Sequence, residues 1–328
     1  MRLPEVMLAA PAEDLPPEGS YAFEAKWDGF RCLIARTEDG SVLMRSRKGT
    51  DLMAGFPEIA ASARQDLPRS VVLDGELVIW HQDRLAFERL LRRLNRRPAA
   101  VAAQAQATPA QFVAFDLLTL DGTDLRPLPY RQRRTRLEAF FTEHQIGPVW
   151  TLCPMTLQRS QALDWMREWA PAGIEGIVAK RLDGPYKSRA RTWIKVRVRH
   201  TTEAVVGAVT GTRTRPGILL LGRYDAQVGR LRFTGRTTVL GEDAARQVGG
   251  LLAPAQAGHP WTGWTFCAGW GSTDILDVTL VSPQLVVEVS ADIARDTADR
   301  WRHPVRLVRA RPDLTVTDVP LLTATGDA

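Results

Sequence analysis

Residues 24–31 read EAKWDGFR, and the two residues at their centre, Asp28 and Gly29, decide how the first half of the chain is read. YAFEAKW (21–27) and FRCLIAR (30–36) both alternate with a period of two and are rich in apolar and aromatic residues, so both read as strands. Asp-Gly between two strands signals a two-residue hairpin. That hairpin would set Lys26 opposite Arg31, with Glu24 and Lys26 on one face and Phe23, Ala25 and Trp27 on the other. The lysine itself is unusual here. Lys and Arg total 43, yet only Lys26, Lys48, Lys180, Lys187 and Lys195 are lysines. An ammonium beside a fixed guanidinium gives up its proton more easily and frees the lone pair for nucleophilic attack, which arginine does not offer. Lys26 is therefore a candidate nucleophile, although the hairpin alone fits an ordinary surface lysine.

Working outward, SVLMRS (41–46), VVLDGELVIW (71–80), FVAFDLLTL (112–120), GIVAKR (176–181) and WIKVRV (193–198) carry the same strand signature. Between them LAFERLLRRLN (85–95), PYRQRRTRLEAFF (129–141) and LQRSQALDWMREW (157–169) place apolar residues three and four apart and read as helices. Arg89, Arg92, Arg93, Arg96 and Arg97 crowd the first of these, where a solvated face and a phosphate-contacting face fit equally. AAVAAQAQATPAQ (99–111) favours helix until Pro109 and is expected to form a surface helix and loop. From about residue 202 the character changes: EAVVGAVTGT, GILLLGRYD, LRFTGRT and LVVEVSADI are short β runs between Gly-containing turns, joined by one helical segment, EDAARQVGGLLA (242–253). Such a pattern fits a small barrel of the OB type.

Composition narrows the class. At 328 residues and 45% apolar content the chain buries a sizeable core. A net charge of +6 favours a polyanionic partner, though an arginine-rich surface can also be merely solvated. Cys32, Cys153 and Cys267 are scattered and odd in number, which argues against a disulfide framework and a structural zinc site. Pro4 and Glu5 interrupt the run a signal peptide needs, and no apolar stretch is long enough to span a bilayer, so a cytoplasmic protein without membrane association is expected.

EAKWDGFR resembles the K-x-D-G-x-R signature of the covalent nucleotidyltransferases, namely ATP-dependent DNA and RNA ligases and GTP-dependent capping enzymes. SRKG (46–49), LDGEL (73–77), AFDLL (114–118), EGIVAKR (175–181), WIKVR (193–197) and RHPVRLVRARPD (302–313) follow in the family's order. The pattern is most similar to small bacterial ATP-dependent DNA ligases and the ligase module of bacterial end-joining proteins. The resemblance implies an α+β architecture: an adenylation domain of antiparallel sheets with flanking helices (1–201), followed by a C-terminal OB-fold β-barrel (202–328). It also implies an ATP-dependent ligase that seals 5′-phosphate/3′-hydroxyl nicks in duplex DNA through a lysyl-AMP intermediate and a DNA-adenylate. An RNA ligase, a GTP-dependent capping-type enzyme and a non-catalytic nucleic-acid clamp are the competing readings.

Roles follow by resemblance, residue by residue. Lys26 takes the AMP. Glu24, Arg31, Glu76, Phe115, Lys195 and Arg197 contact the nucleotide, with Arg31 at the ribose and Phe115 against adenine. Glu76 and Glu175 are the carboxylates for Mg2+ or Mn2+, and Asp74 shares a strand face with Glu76. Arg47 approaches the 5′-phosphate of the nicked strand, and Arg309 and Arg311 of RARPD bind phosphate. Arg197 stands where the family usually has lysine, and Leu314 where many relatives end the last motif with lysine, which leaves Arg309, Arg311 and Lys195 as alternatives at the leaving group. ATP, a divalent ion, nicked double-stranded DNA, and end-joining or repair proteins are the implied ligands and partners of a monomeric, nucleoid-associated enzyme.

Overall fold

The computed structural model describes residues 3–94, 96–144, 146–267, 274–296 and 298–322. The chain divides into two compact units, Met1–Val198 and Arg199–Ala328. The sequence placed the division at 201/202. The polar stretch Arg199–Glu203 looks like a linker, but its backbone pairs with the strand Val286–Asp292 and already belongs to the second unit.

The first unit holds two facing sheets. One has five strands, in the order Ala9–Pro11, Trp193–Arg197, Gly176–Arg181, Tyr21–Lys26 and Met155–Thr156. The other runs Trp150–Leu152, Gln111–Leu120, Val71–Val78, Phe30–Arg36 and Val42–Ser46, with Thr123–Asp124 added beside Gln111–Leu120. Most neighbours are antiparallel as expected, but the edge strands Ala9–Pro11 and Trp150–Leu152 pair in parallel, so both sheets are mixed.

The Asp28-Gly29 hairpin does not form. Tyr21–Lys26 and Phe30–Arg36 lie in different sheets, and Trp27–Gly29 crosses between them. Gly29 is required by crowding: a Cβ there would lie 2.2 Å from the Leu77 carbonyl oxygen and 2.8 Å from Glu76 Cγ. Lys26 pairs in register with Gly176, and Arg31 with Glu76. The two cations are therefore not cross-strand neighbours.

Apolar side chains from the inner faces, among them Ala25, Leu33, Val72, Val113 and Tyr186, fill the space between the sheets. The helix Arg159–Glu168 packs on Tyr21–Lys26 and Gly176–Arg181 through a cluster that includes Phe23, Ala162 and Ile177. The helices Pro57–Asp66 and Tyr130–Glu143 cover the second sheet, where Ile59, Leu137 and Phe140 join its core. The helix expected over 85–95 is only Phe87–Leu91, preceded by a small hairpin of Trp80–His81 and Arg84–Leu85. Arg93, assigned to a solvated or phosphate-contacting face, is instead buried. It pairs with Glu58, donates to the Thr108 carbonyl and sits 5.5 Å from the Phe56 ring, tying this segment to the helix Pro98–Ala107.

In the second unit the strands run Leu231–Arg236, Arg215–Tyr224, Arg199–Thr212, Val286–Asp292 and Arg306–Ala310, with Val278–Leu280 against Arg199–Thr212. A parallel bridge between Thr237 and Val305, flanked by Thr238 N–H donating to the Val305 carbonyl at 2.8 Å, joins the two outer strands. The interior is packed by Val206, Leu219, Leu221, Val287 and Val289, and the helix Glu242–Leu251 adds Val248. Among the described residues no helix is long and apolar enough to cross a membrane.

Candidate active site

Three strands of the first sheet point side chains into one cavity of about 220 Å³. Across the sheet, Arg197, Gly176 and Lys26 form one row and Lys195, Val178 and Glu24 the next. Gly176 has φ +148°, and a Cβ on it would come within 2.0 Å of the Val196 carbonyl oxygen. Glycine there lets the strand Trp193–Arg197 approach closely, which sets Arg197 in the same row as Lys26. Lys26 Nζ pairs with Glu175, whose side chain is 4% exposed, while Lys26 keeps 18% of its own surface open to the cavity. The amine is sheltered and still reachable. Its charged neighbour is a carboxylate, in place of the guanidinium the hairpin would have supplied.

Glu24 is fully engaged within the protein. Its carboxylate accepts from the Tyr130 hydroxyl, lies 2.7 Å from Lys180 Nζ and is 3.7 Å from Arg134. Lys180 also donates to the Phe115 carbonyl at 2.7 Å and rests 4.3 Å from the Trp193 ring centroid. Thus Glu24 anchors Lys180, and through it the walls formed by Phe115 and Trp193. Sequence reasoning assigned no site role to Lys180, Tyr130 or Arg134. The available signals were that Lys180 is among the few lysines and lies within EGIVAKR, whereas Arg134 is concealed in a helix that reads as a basic surface.

Arg31 is clamped by Asp74, to which Nε donates at 2.7 Å and Nη2 at 2.6 Å. Burial works against the guanidinium charge, but Asp74 more than offsets it and holds the group above its ordinary range. Tyr186 braces the same carboxylate from the other side through a 2.7 Å hydrogen bond. Arg31 then lies 4.8 Å from the Phe115 ring centroid and 5.1 Å from that of Trp193. Trp193 was missed as a site residue because an aromatic in a strand is usually core, and Tyr186 because it lies in the loop between Gly176–Arg181 and Trp193–Arg197.

Glu76 lies on the opposite sheet, facing the same cavity. Burial pushes its carboxyl up to about 8, with Arg31 and Lys26 pulling it down and Asp28 and Glu175 pushing it further up. Among the described residues there is no group of three or more His, Cys, Asp or Glu side chains placed to hold a metal ion. Two carboxylates, Glu76 and Glu175, are what the protein offers. Along the cavity's rim run Lys195, Arg197, Arg47 and Arg191. The Lys195 ammonium is held below its ordinary range by burial first, and then by repulsion from Arg197, Lys26, Arg47 and Arg191. Of the site residues expected from sequence, Glu24, Lys26, Arg31, Arg47, Glu76, Phe115, Lys195 and Arg197 line this single cavity, with Glu175 against Lys26. Arg309 and Arg311 belong to the second unit.

The profile of the ATP dependent DNA ligase domain matches residues 6–197, a span that includes the whole lining of this cation-rimmed cavity. The chain belongs to the ATP-dependent DNA ligase family. The ligase is 34% identical to DNA ligase C2 of Mycolicibacterium smegmatis, a match covering 94% of this chain and 90% of that protein. It is 32% identical to the multifunctional non-homologous end joining DNA repair protein LigD of Mycobacterium tuberculosis, over 82% of this chain and 33% of that much longer protein. Among solved structures it resembles a mycobacterial DNA ligase D complexed with ATP and MES, with a TM-score of 0.53, 29% identity, and coverage of 97% and 98% of the two chains. The fold is that of a nucleotidyltransferase-type ligase with mixed sheets and few helices, and the enzyme is an ATP-dependent DNA ligase. These matches do not favour the RNA-ligase and capping-enzyme alternatives.

Proposed function

We propose that Lys26 is the nucleophile and that the cavity around it carries out the ligase's self-adenylation. The observation that carries this reading is the Lys26–Glu175 pair set in a cation-rimmed cavity. Glu175 takes the proton as the Lys26 lone pair attacks the α-phosphorus of ATP. A P–N bond forms, the Pα–O bond breaks, and its electrons leave with pyrophosphate. A 5′-phosphate oxygen of DNA then attacks the same phosphorus, the P–N bond breaks, and Lys26 recovers its electron pair and a proton. Finally the neighbouring 3′-hydroxyl attacks the activated 5′-phosphorus and releases AMP.

The other side chains divide by position. Phe115 and Val178 offer apolar surface to adenine, Arg31 is aimed by Asp74 towards the ribose, and Lys195 and Arg197 face the phosphates. Glu24 serves indirectly by holding Lys180. Mg2+ commonly binds through one or two carboxylates plus substrate phosphates, so Glu76 with Glu175 suits it better than a full protein cage would. When bound, the ion neutralises polyphosphate charge. Mn2+ suits the same ligands.

The second unit is read as an OB-fold: five strands in a closed order, with a helix between the third and fourth, match that barrel's topology. It contains the larger cavity, about 450 Å³, among residues that include Arg232, Arg236, Trp264 and Trp301. That cavity has no lysine and cannot form the covalent intermediate, so size does not locate the chemistry. Nicked duplex DNA is the proposed substrate of a monomeric enzyme. The end-joining title of the LigD relative supports a place beside repair proteins.

Incubation with α-labelled ATP tests the central assignment. Lys26→Ala is expected to abolish label transfer to protein while leaving binding to nicked DNA intact. Retention of label by that variant would overturn the nucleophile.

A further inference from the structure

The C-terminal RARPD segment resembles an element that ends in a lysine near the leaving pyrophosphate, but Leu314 stands in that position. The arginines of the segment are already engaged. Arg309 donates to Glu288 at 2.8 Å, and Arg311 lies 2.8 Å from Asp313, 3.6 Å from Glu288 and 3.7 Å from Glu203. Two guanidiniums thus share three carboxylates, leaving no surplus positive charge. Leu314 itself packs against the apolar cluster of Val205, Leu231 and Val319.

The Lys26 cavity has the opposite imbalance. Lys26, Arg31 and Lys180 are each matched with a carboxylate: Glu175, Asp74 and Glu24. Arg47, Arg191 and Lys195 line the same cavity, and among the described residues none of their side chains has a hydrogen-bond or ion-pair partner. Arg47 and Arg191 both lie close enough to repel Lys195. Gathering like charges without a counter-charge costs stability until an anion completes the group. No motif read in the sequence includes Arg191, which lies two residues before Trp193.

We propose that Arg191 is a polyphosphate-binding residue: with Arg47 and Lys195 it holds the β- and γ-phosphates of ATP and then the departing pyrophosphate. The first unit thereby supplies the cation that the C-terminal segment lacks. The inference rests on Lys26 as the nucleophile. As the P–N bond forms and the Pα–O bond breaks, pyrophosphate carries away the electron pair, and three uncompensated cations stabilise the charge that develops on it.

Three reactions of the full chain test this, using Arg191→Ala and Arg191→Lys: labelling by ATP, discharge of the preformed protein adenylate by inorganic pyrophosphate, and sealing of a pre-adenylated nick without ATP. Arg191→Ala is expected to raise the ATP concentration for half-maximal labelling by about tenfold, the loss of one charge-assisted hydrogen bond. The pyrophosphate required for discharge rises by a similar factor, Arg191→Lys recovers most of both, and sealing changes little. A merely structural arginine would not shift the pyrophosphate requirement selectively. Unchanged ATP and pyrophosphate dependence would overturn the proposal, and so would an equal fall in all three reactions. Lys26→Ala run in parallel separates the two claims: persistent labelling there sinks the nucleophile itself, whereas loss of labelling there with normal Arg191→Ala kinetics sinks only the role of Arg191.

Discussion

Single residues in this ligase take their chemistry from which partners they are denied. Glu76 faces the Lys26 cavity without the bidentate clamp that Asp74 gives Arg31, and burial holds its carboxyl at about 8 against an ordinary 4.5. A raised folded value means that the folded chain binds more protons than the unfolded one between those limits. The contribution to stability is therefore whole below the unfolded value and lost as pH rises through the folded one. Glu76→Gln is expected to show a smaller fall in melting temperature between about pH 5 and about pH 8.5 than the parent, in the absence of divalent ions. The proposed role of Glu76 in holding Mg2+ predicts that over the same window Mg2+ binding by the parent strengthens, because the ion needs the ionised carboxylate, and that the variant loses that rise. Superimposable curves for the two proteins would remove Glu76 from the metal site. Lys26, Glu76, Phe115 and Lys195 were legible in the sequence because their motifs carry them. The roles of Lys180, although it lies within EGIVAKR, and of Arg134 were not, because in a sequence a buried, paired charge looks the same as a solvated one, and Tyr186 stands in a loop outside every motif.

At the scale of elements, the strands were legible and their partners were not. Period-two alternation marks Tyr21–Lys26 and Phe30–Arg36 as strands whatever sheet they join, but pairing depends on residues far along the chain, such as Gly176, 150 positions from Lys26, and Glu76, 45 positions from Arg31. The local Asp28-Gly29 signal for a hairpin was overruled by this long-range pairing. Glycine is needed at position 29 for a different reason, close approach to the strand Val71–Val78. Gly29→Ala is expected to destabilise the protein by about 1–3 kcal/mol, the usual cost of forcing extra volume into a packed site. A denaturant midpoint measures it, and adenylation should fall with it because the added methyl presses on Glu76. A variant as stable and as active as the parent would mean that the crossover is slack. The helix Tyr130–Glu143 was found by its period, yet its inward anchor is a charged one: Arg133, fully buried, forks onto Asp116 at 2.8 and 2.9 Å.

For the whole molecule, the sequence conveyed two units and the character of each, and placed the division slightly too late because a polar strand resembles a linker. The contact that joins the second unit's outer strands, around the bridge between Thr237 and Val305, leaves no mark in composition. The larger consequence lies in the first unit, where the strand of Lys26, the proposed nucleophile, belongs to one sheet and the strand of Glu76 to the other, tied at Trp27–Gly29. On the proposed roles, a nucleotide fixed on Lys26 and resting on Phe115 would span that divide like a rivet through two plates. Charging the enzyme should therefore toughen it: the adenylated protein is expected to melt higher and to resist protease longer than the uncharged one, without any DNA present. With that outcome the working cycle would alternate between a stiff, loaded enzyme and a looser, spent one, and the bond proposed to energise DNA would also fasten the layers.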